Sequence, residues 1–157
     1  MTRAPILAVA LLALTACDSG EPVGGGEAAT VQAVGAICRP TPVGRQTTGC
    51  YLTLTAAADD RLMAVSSPAA NIVQIHASRI ESNMMMMREL REGLALPAGQ
   101  AVALAPGGNH LMLLGVGKPL AAGDSVALTL TFASSTPVEI VATVGQPTAS
   151  EYDHAAH

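Results

Sequence analysis

The sequence predicts an all-β domain, an antiparallel β-sandwich or Greek-key barrel, and three observations carry that prediction. Apolar and polar residues alternate in several runs, turn-forming residues recur about every ten residues, and no stretch has the periodicity of a helix. The alternation is clearest in Leu52 and Leu54 against Thr53 and Thr55, and in Val126, Leu128, Leu130 and Phe132 against Ala127, Thr129 and Thr131. Side chains two apart on a strand point to one face, so each such run offers an apolar face to a core and a polar face to water.

Taken in order, the first strand is TVQAVGAIC, residues 30–38. The following RPTPVGRQTTG holds Pro40 and Pro42, each of which removes a ladder donor, so it reads as a loop or an edge. CYLTLTAA and DDRLMAVSSP are the next two strands, then NIVQIHASRI and MMMMREL. QAVALAP, HLMLLGV, DSVALTLTFA and TPVEIVATV complete the set. Pro and Gly in PAG (97–99), APGGN before His110 and AAGD before Ser125 supply the turns between them. No internal repeat and no glycine-rich phosphate loop is visible.

The chain of 157 residues has room for one ordinary domain. Residues 1–17, MTRAPILAVALLALTAC, read as a bacterial export signal: Arg3 flanks an apolar run from Pro5 to Leu14, and small residues precede Cys17. LTAC resembles the lipobox of bacterial lipoproteins, which implies that Cys17 is acylated and anchors the chain to a membrane of the cell envelope, on the periplasmic side. Residues 18–30, rich in Gly and acidic side chains, read as a flexible tether with a reach of roughly 20 Å. A folded domain over 31–146 and a disordered, His-containing tail over 147–157 follow. A net charge of −4 without clustered Lys or Arg argues against nucleic acid, and 50% hydrophobic against 13% charged residues argues against disorder.

With Cys17 assigned to a lipid, Cys38 and Cys50 remain as an even pair in an oxidising compartment and are expected to form a disulfide. The competing dithiol metal site is disfavoured, because zinc and redox pairs are usually separated by only two to four residues.

Histidine and methionine carry the chemistry. His110 and Met112 lie two apart on a predicted strand, so imidazole and thioether project side by side. In the run Met84 to Met87, Met85 and Met87 share one face and Met84 and Met86 the other. His76 closes NIVQIH, where the register of the strand end stays open. Thioether sulfur is soft and neutral and suits Cu(I), not Mg²⁺, Ca²⁺ or zinc. A His and Met site should therefore hold reduced copper exchangeably, which fits carriage.

His76, ten residues, Met87, twenty-two residues, then His110-x-Met112 resembles the metal motif of the PCuAC family of periplasmic copper chaperones. The surroundings are similar to that family too: RPTP before YLTLT, SPAANIVQIH, MMMMRE, LPAGQAVALAPGGNHLMLLG and PLAAGDSVALTLTF, in order over nearly all of residues 31–144. The resemblance implies a cupredoxin-like β-sandwich in which His76, Met87, His110 and Met112 bind one Cu(I). It further implies delivery to the copper subunit of a terminal respiratory oxidase, with a thioredoxin-like copper-insertion protein as assembly partner. Met85, on the face of Met87, is a spare or replacement ligand. The second spacer is one residue longer than the family's pattern, which a turn in RELREGLAL would absorb without flipping a strand. The Cys38 and Cys50 pair stands outside that pattern and reads as a local staple.

In the tail EYDHAAH, His154 and His157 are candidates for a loose Cu(II) site, imidazole being suited to oxidised copper. Met63, Met84 and Met86 read as packing or surface residues, and Arg45, Arg88 and Arg91 as surface charges. No nucleophile stands beside a base and no carboxylates cluster, so an enzyme is not expected. The alternative reading is a lipid-anchored envelope β-sandwich used for copper buffering or tolerance, or for structural or adhesive contacts without metal transfer.

Overall fold

Ten strands form in the computed structural model, which describes residues 30–147: β1 Val31–Cys38, β2 Thr47–Ala56, β3 Asp60–Ser66, β4 Ala70–Glu81, β5 Met84–Glu89, β6 Leu94–Leu96, β7 Ala101–Leu104, β8 Asn109–Val116, β9 Ser125–Phe132 and β10 Val138–Val144. The all-β expectation is met, and no helix occurs among the described residues. The export signal, Cys17, nearly all of the tether, and His154 and His157 lie outside those residues.

The hydrogen-bonded order runs β4-β8-β2-β1-β10-β9-β3, and a β3–β4 pairing at Val65 and Val73 closes the ring into a barrel. Strands β5, β6 and β7 are added to it through β4, β3 and β2. Closure removes most of the open edges that a single sheet would present. The expectation of a wholly antiparallel sheet needs one correction: β1 and β10 run parallel, with Ile37 beside Thr143 and Cys38 beside Val144. These are the first and last strands, so no short hairpin forces them into opposite directions.

Leucine fills the interior. Leu52 and Leu54 of β2, Leu62 of β3, Leu111 and Leu113 of β8, and Leu128 and Leu130 of β9 are fully or almost fully buried. The burial of β9 alternates residue by residue, with Val126, Leu128, Leu130 and Phe132 inward. Each such leucine contributes about 1.5–3 kcal/mol relative to exposure, which lets a core with a single Phe hold together. Cys38 and Cys50 are directly opposed on β1 and β2 with Cα atoms 4.0 Å apart, and their sulfurs are bonded within this core.

Two features of the chain set up the site. On β8 the core face is Leu111 and Leu113, which leaves His110, Met112 and Leu114 on the outer face. Strand β4 is twelve residues long and outruns β8, its last pairing partner there being Ala77 opposite Asn109. Its overhang doubles back into β5 through a two-residue turn, Ser82 and Asn83, both with positive φ, the backbone that matches the twist of a tight hairpin. The result is a β4–β5 arm that carries all four consecutive methionines beyond the end of β8.

Candidate metal centre

Cross-strand register decides which side chains meet. His76 on β4 is directly opposite His110 on β8, and Gln74 is opposite Met112. Across the other edge of β4, Met87 is opposite Ser78 and Met85 is opposite Ile80. Directly paired residues share a face, as do residues two apart along one strand. Gln74, His76, Ser78, Met85, Met87, His110 and Met112 therefore all lie on the outer face of one three-stranded patch. Met84 and Met86 are on the reverse of the arm.

On this face opens a cleft of about 400 Å³, with Met85, Met87, His110 and Met112 among its walls. His76 is not in the cleft wall; its ring stands edge-on to that of His110, with centroids 5.6 Å apart. The longer spacer has not turned Met87 away from His110. Its first turn lies at Leu90–Gly93, where Gly93 N–H donates to the Leu90 carbonyl at 2.9 Å and φ is +78°. A Cβ at Gly93 would collide with the Leu62 carbonyl oxygen, so only glycine fits there.

Exposure falls steeply across the site. Met85 and Met87 are each 58% exposed, Met112 is half-buried and His110 is 6% exposed. His110 sits at the bottom, Met112 between, and the flexible thioethers of Met85 and Met87 at the rim.

Both rings are oriented by partners that leave a nitrogen lone pair bare. His110 Nδ1 is 3.0 Å from the Gly108 carbonyl, which can only accept, so Nδ1 carries a proton and a bond to a metal would fall to Nε2. That carbonyl is itself fixed by Ser78 N–H at 3.1 Å, within the APGGN turn. His76 Nε2 donates to Gln74 Oε1 at 2.9 Å, and His76 Nδ1 is buried with no hydrogen-bond partner. An unpartnered buried nitrogen costs free energy unless something binds it, which makes Nδ1 a plain opening for a cation. Burial, and then the neighbouring His110, push His76 below the usual histidine pKa of 6.5, while Glu89 acts the other way. His76 is thus neutral at pH 7 and needs to shed no proton to bind a metal.

Among the described residues, no three His, Cys, Asp or Glu side chains converge on one point. Cys38 and Cys50 are consumed in the disulfide. The soft donors gathered on this face are the imidazoles of His76 and His110 and the thioethers of Met85, Met87 and Met112.

Two wall residues carried no local signal in the sequence. Tyr51 is 6% exposed, its ring 6.4 Å from that of His110, and Arg39 Cζ lies 5.6 Å from the centroid of the Tyr51 ring. The pairing of β2 with β8 brings Tyr51 to the cleft, and the bond from Arg39 N–H to the Gly49 carbonyl sets Arg39 beside it.

Comparison with known proteins bears on this geometry. The family described as "Putative lipoprotein LpqE-like" matches residues 31–144, which span the whole barrel. The chain belongs to the LpqE-like family. It is 32% identical over 146 residues to the putative lipoprotein Lxx21020 of Leifsonia xyli subsp. xyli, covering 89% of this chain and 88% of that one. Among solved structures it resembles the copper-bound PCuAC domain from PmoF2, with a TM-score of 0.61 and 26% identity over 74% of this chain and 93% of that domain. It also resembles the Cu(I) form of DR1885 from Deinococcus radiodurans, at TM-score 0.61 and 27% identity over 77% of this chain and 82% of that one. The PCuAC resemblance read from the His and Met spacing is thus shown in three dimensions, and the LpqE-like family is a PCuAC-type family.

Proposed function

We propose that the protein is an envelope Cu(I) metallochaperone whose ion is held by His76, Met87, His110 and Met112. The observation that carries this reading is the direct opposition of His76 and His110 across β4 and β8, with Met112 and Met87 on the same face. Two imidazoles and two thioethers, with no anionic ligand among them, form a soft donor set that favours Cu(I) over hard divalent ions. The bare nitrogens are Nδ1 of His76 and Nε2 of His110. The copper-bound state of the PmoF2 domain and the Cu(I) state of DR1885 support copper as the cargo.

Rim methionines that are more than half exposed suit transfer, because an acceptor can take the ion one ligand at a time from the open side. Acylation of Cys17 would hold the domain on a tether at the periplasmic face of a membrane, in keeping with a relative described as a lipoprotein. The receiver in this reading is the copper subunit of a terminal oxidase, or the thioredoxin-like protein that loads it. His154 and His157 are assigned a weaker Cu(II) role, and no catalytic step is assigned. The cupredoxin-like sandwich remains our description of how the barrel's two sides pack.

Competition for Cu(I) with a chromogenic chelator tests the ligands: the double variant His110→Ala, Met112→Ala should lose high-affinity binding, and unchanged affinity would refute the assignment. Loss of oxidase activity on gene deletion at low copper, restored by added copper, would separate delivery from buffering.

A further inference from the structure

The cleft is far larger than a bare ion needs, and one of its walls is built with care that copper ligation does not explain. Arg39 N–H donates to the Gly49 carbonyl at 2.9 Å, and Thr48 Oγ1 donates to the Arg39 carbonyl at 2.7 Å. The disulfide joins Cys38 and Cys50, the residues immediately before Arg39 and Tyr51. Gly49 leaves room for the tyrosine ring to lie back over the sheet: a Cβ there would stand 3.0 Å from Tyr51 Oη. The crosslink and the hydrogen bonds fix the backbone of the pair, and the guanidinium rests against the ring in cation–π range.

The charge held there is not neutralised. Among the described residues no carboxylate pairs with Arg39, and none lines the cleft. Glu89, opposite His76 on β5, is paired with Arg91 at 3.1 Å. The distances from Arg39 to Tyr51 and from Tyr51 to His110 together place the guanidinium within about 12 Å of the His110 ring. Arg39 is the one formal charge among the residues that line the cleft, and Glu89, with its partner Arg91, stands outside it beside His76.

We propose that Arg39, held by Tyr51 and the Cys38–Cys50 bridge, sets the charge selectivity of the site and favours monovalent soft cations over divalent ones. This rests on the reading of the cleft as a Cu(I) site. A positive charge repels a dication twice as strongly as a monocation at the same place. For a separation of roughly 10 Å in largely aqueous surroundings, the extra repulsion amounts to about twofold in relative affinity. Donor softness sets the main preference for Cu(I), and Arg39 adds to it through charge alone.

The test uses Arg39→Gln, which removes the charge from an exposed side chain, and Arg39→Lys, which keeps it. Cu(I) and Cu(II) affinities of each are measured by chelator competition at low and high salt, with Ag(I) as a second monovalent probe. Arg39→Gln should narrow the Cu(I)/Cu(II) affinity ratio about twofold, chiefly by tightening Cu(II), and leave Ag(I) and Cu(I) moving together. Arg39→Lys should keep the wild-type ratio, and the difference between the two variants should shrink at high salt. A ratio unchanged in Arg39→Gln, or shifted equally in Arg39→Lys, would overturn the proposal. Failure of the copper reading itself would appear separately, as Cu(I) affinity indifferent to loss of His110 and Met112.

Discussion

Replacing the four consecutive methionines one at a time with leucine tests how the arm delivers sulfur. Leucine keeps the apolar volume and removes only the thioether. Met87 and Met85 share the cleft face, opposite Ser78 and Ile80, whereas Met84 and Met86 face away. Met85 lies two residues farther along β5, about 6.6–6.8 Å from Met87, and an unbranched thioether can swing across part of that distance. Met87→Leu should therefore weaken Cu(I) binding on the order of tenfold, the low end of what disturbing a metal's ligand shell costs, because Met85 takes its place. That is about 1.4 kcal/mol. Met85→Leu alone should change affinity less than twofold, and the double variant should lose about a hundredfold, more than the sum of the singles. Non-additivity of this sign is the mark of one residue standing in for another. The assay is chelator competition under anaerobic conditions, with circular dichroism to show the fold intact. Equal losses from Met86→Leu and Met87→Leu would refute the facial assignment, and strictly additive losses would refute the replacement role of Met85.

Other consequences concern pH and stability. His76 is held below 6.5 by burial and by His110, so between its folded pKa and 6.5 the unfolded chain binds the proton first. Apo-protein stability should be flat above pH 6.5 and fall as pH drops through that window, with the fall reduced in His76→Gln; a pH-independent melting temperature between 7.5 and 5 would contradict this. Asp60 accepts hydrogen bonds from Arg61, Ser134 and Ser135 N–H at 2.7, 3.0 and 2.9 Å, tying β3 to the segment after β9. Burial acts to raise its pKa but is outweighed by the bonds from Ser135, Arg61 and Ser134, which hold it below 3.8. Asp60→Ala should cost about 1–2 kcal/mol in urea unfolding at pH 7 and leave Cu(I) affinity unchanged. Reducing the Cys38–Cys50 bridge should cost about 3 kcal/mol for its short loop, read as a lower urea midpoint.

Strand faces were the part of the structure most plainly written in the sequence. The period-2 pattern of β9 places Val126, Leu128, Leu130 and Phe132 inward as expected, and the same rule sorts Met85 and Met87 from Met84 and Met86. It also pairs His110 with Met112. What local periodicity cannot express is which strands become neighbours. The parallel β1–β10 contact, the closure at Val65 and Val73, and the opposition of His76 to His110 all join segments far apart in sequence. The open register of His76 was settled by Ile75 and Ala77 turning to the core. Tyr51 sits next to the strictly alternating Leu52 to Thr55, yet it faces outward, and nothing in YLTLT says that a histidine waits opposite. Arg39 follows a cysteine whose bridge, read as a local staple, turns out to stand beside the site.

X-ray absorption at the copper edge of the Cu(I)-loaded protein is the sharpest test of the ligand set, because it counts ligands by element. Two imidazole nitrogens and two sulfurs are expected, with the sulfur shell reduced in Met112→Ala. A first shell of nitrogen and oxygen alone, with no sulfur, would contradict that ligand set.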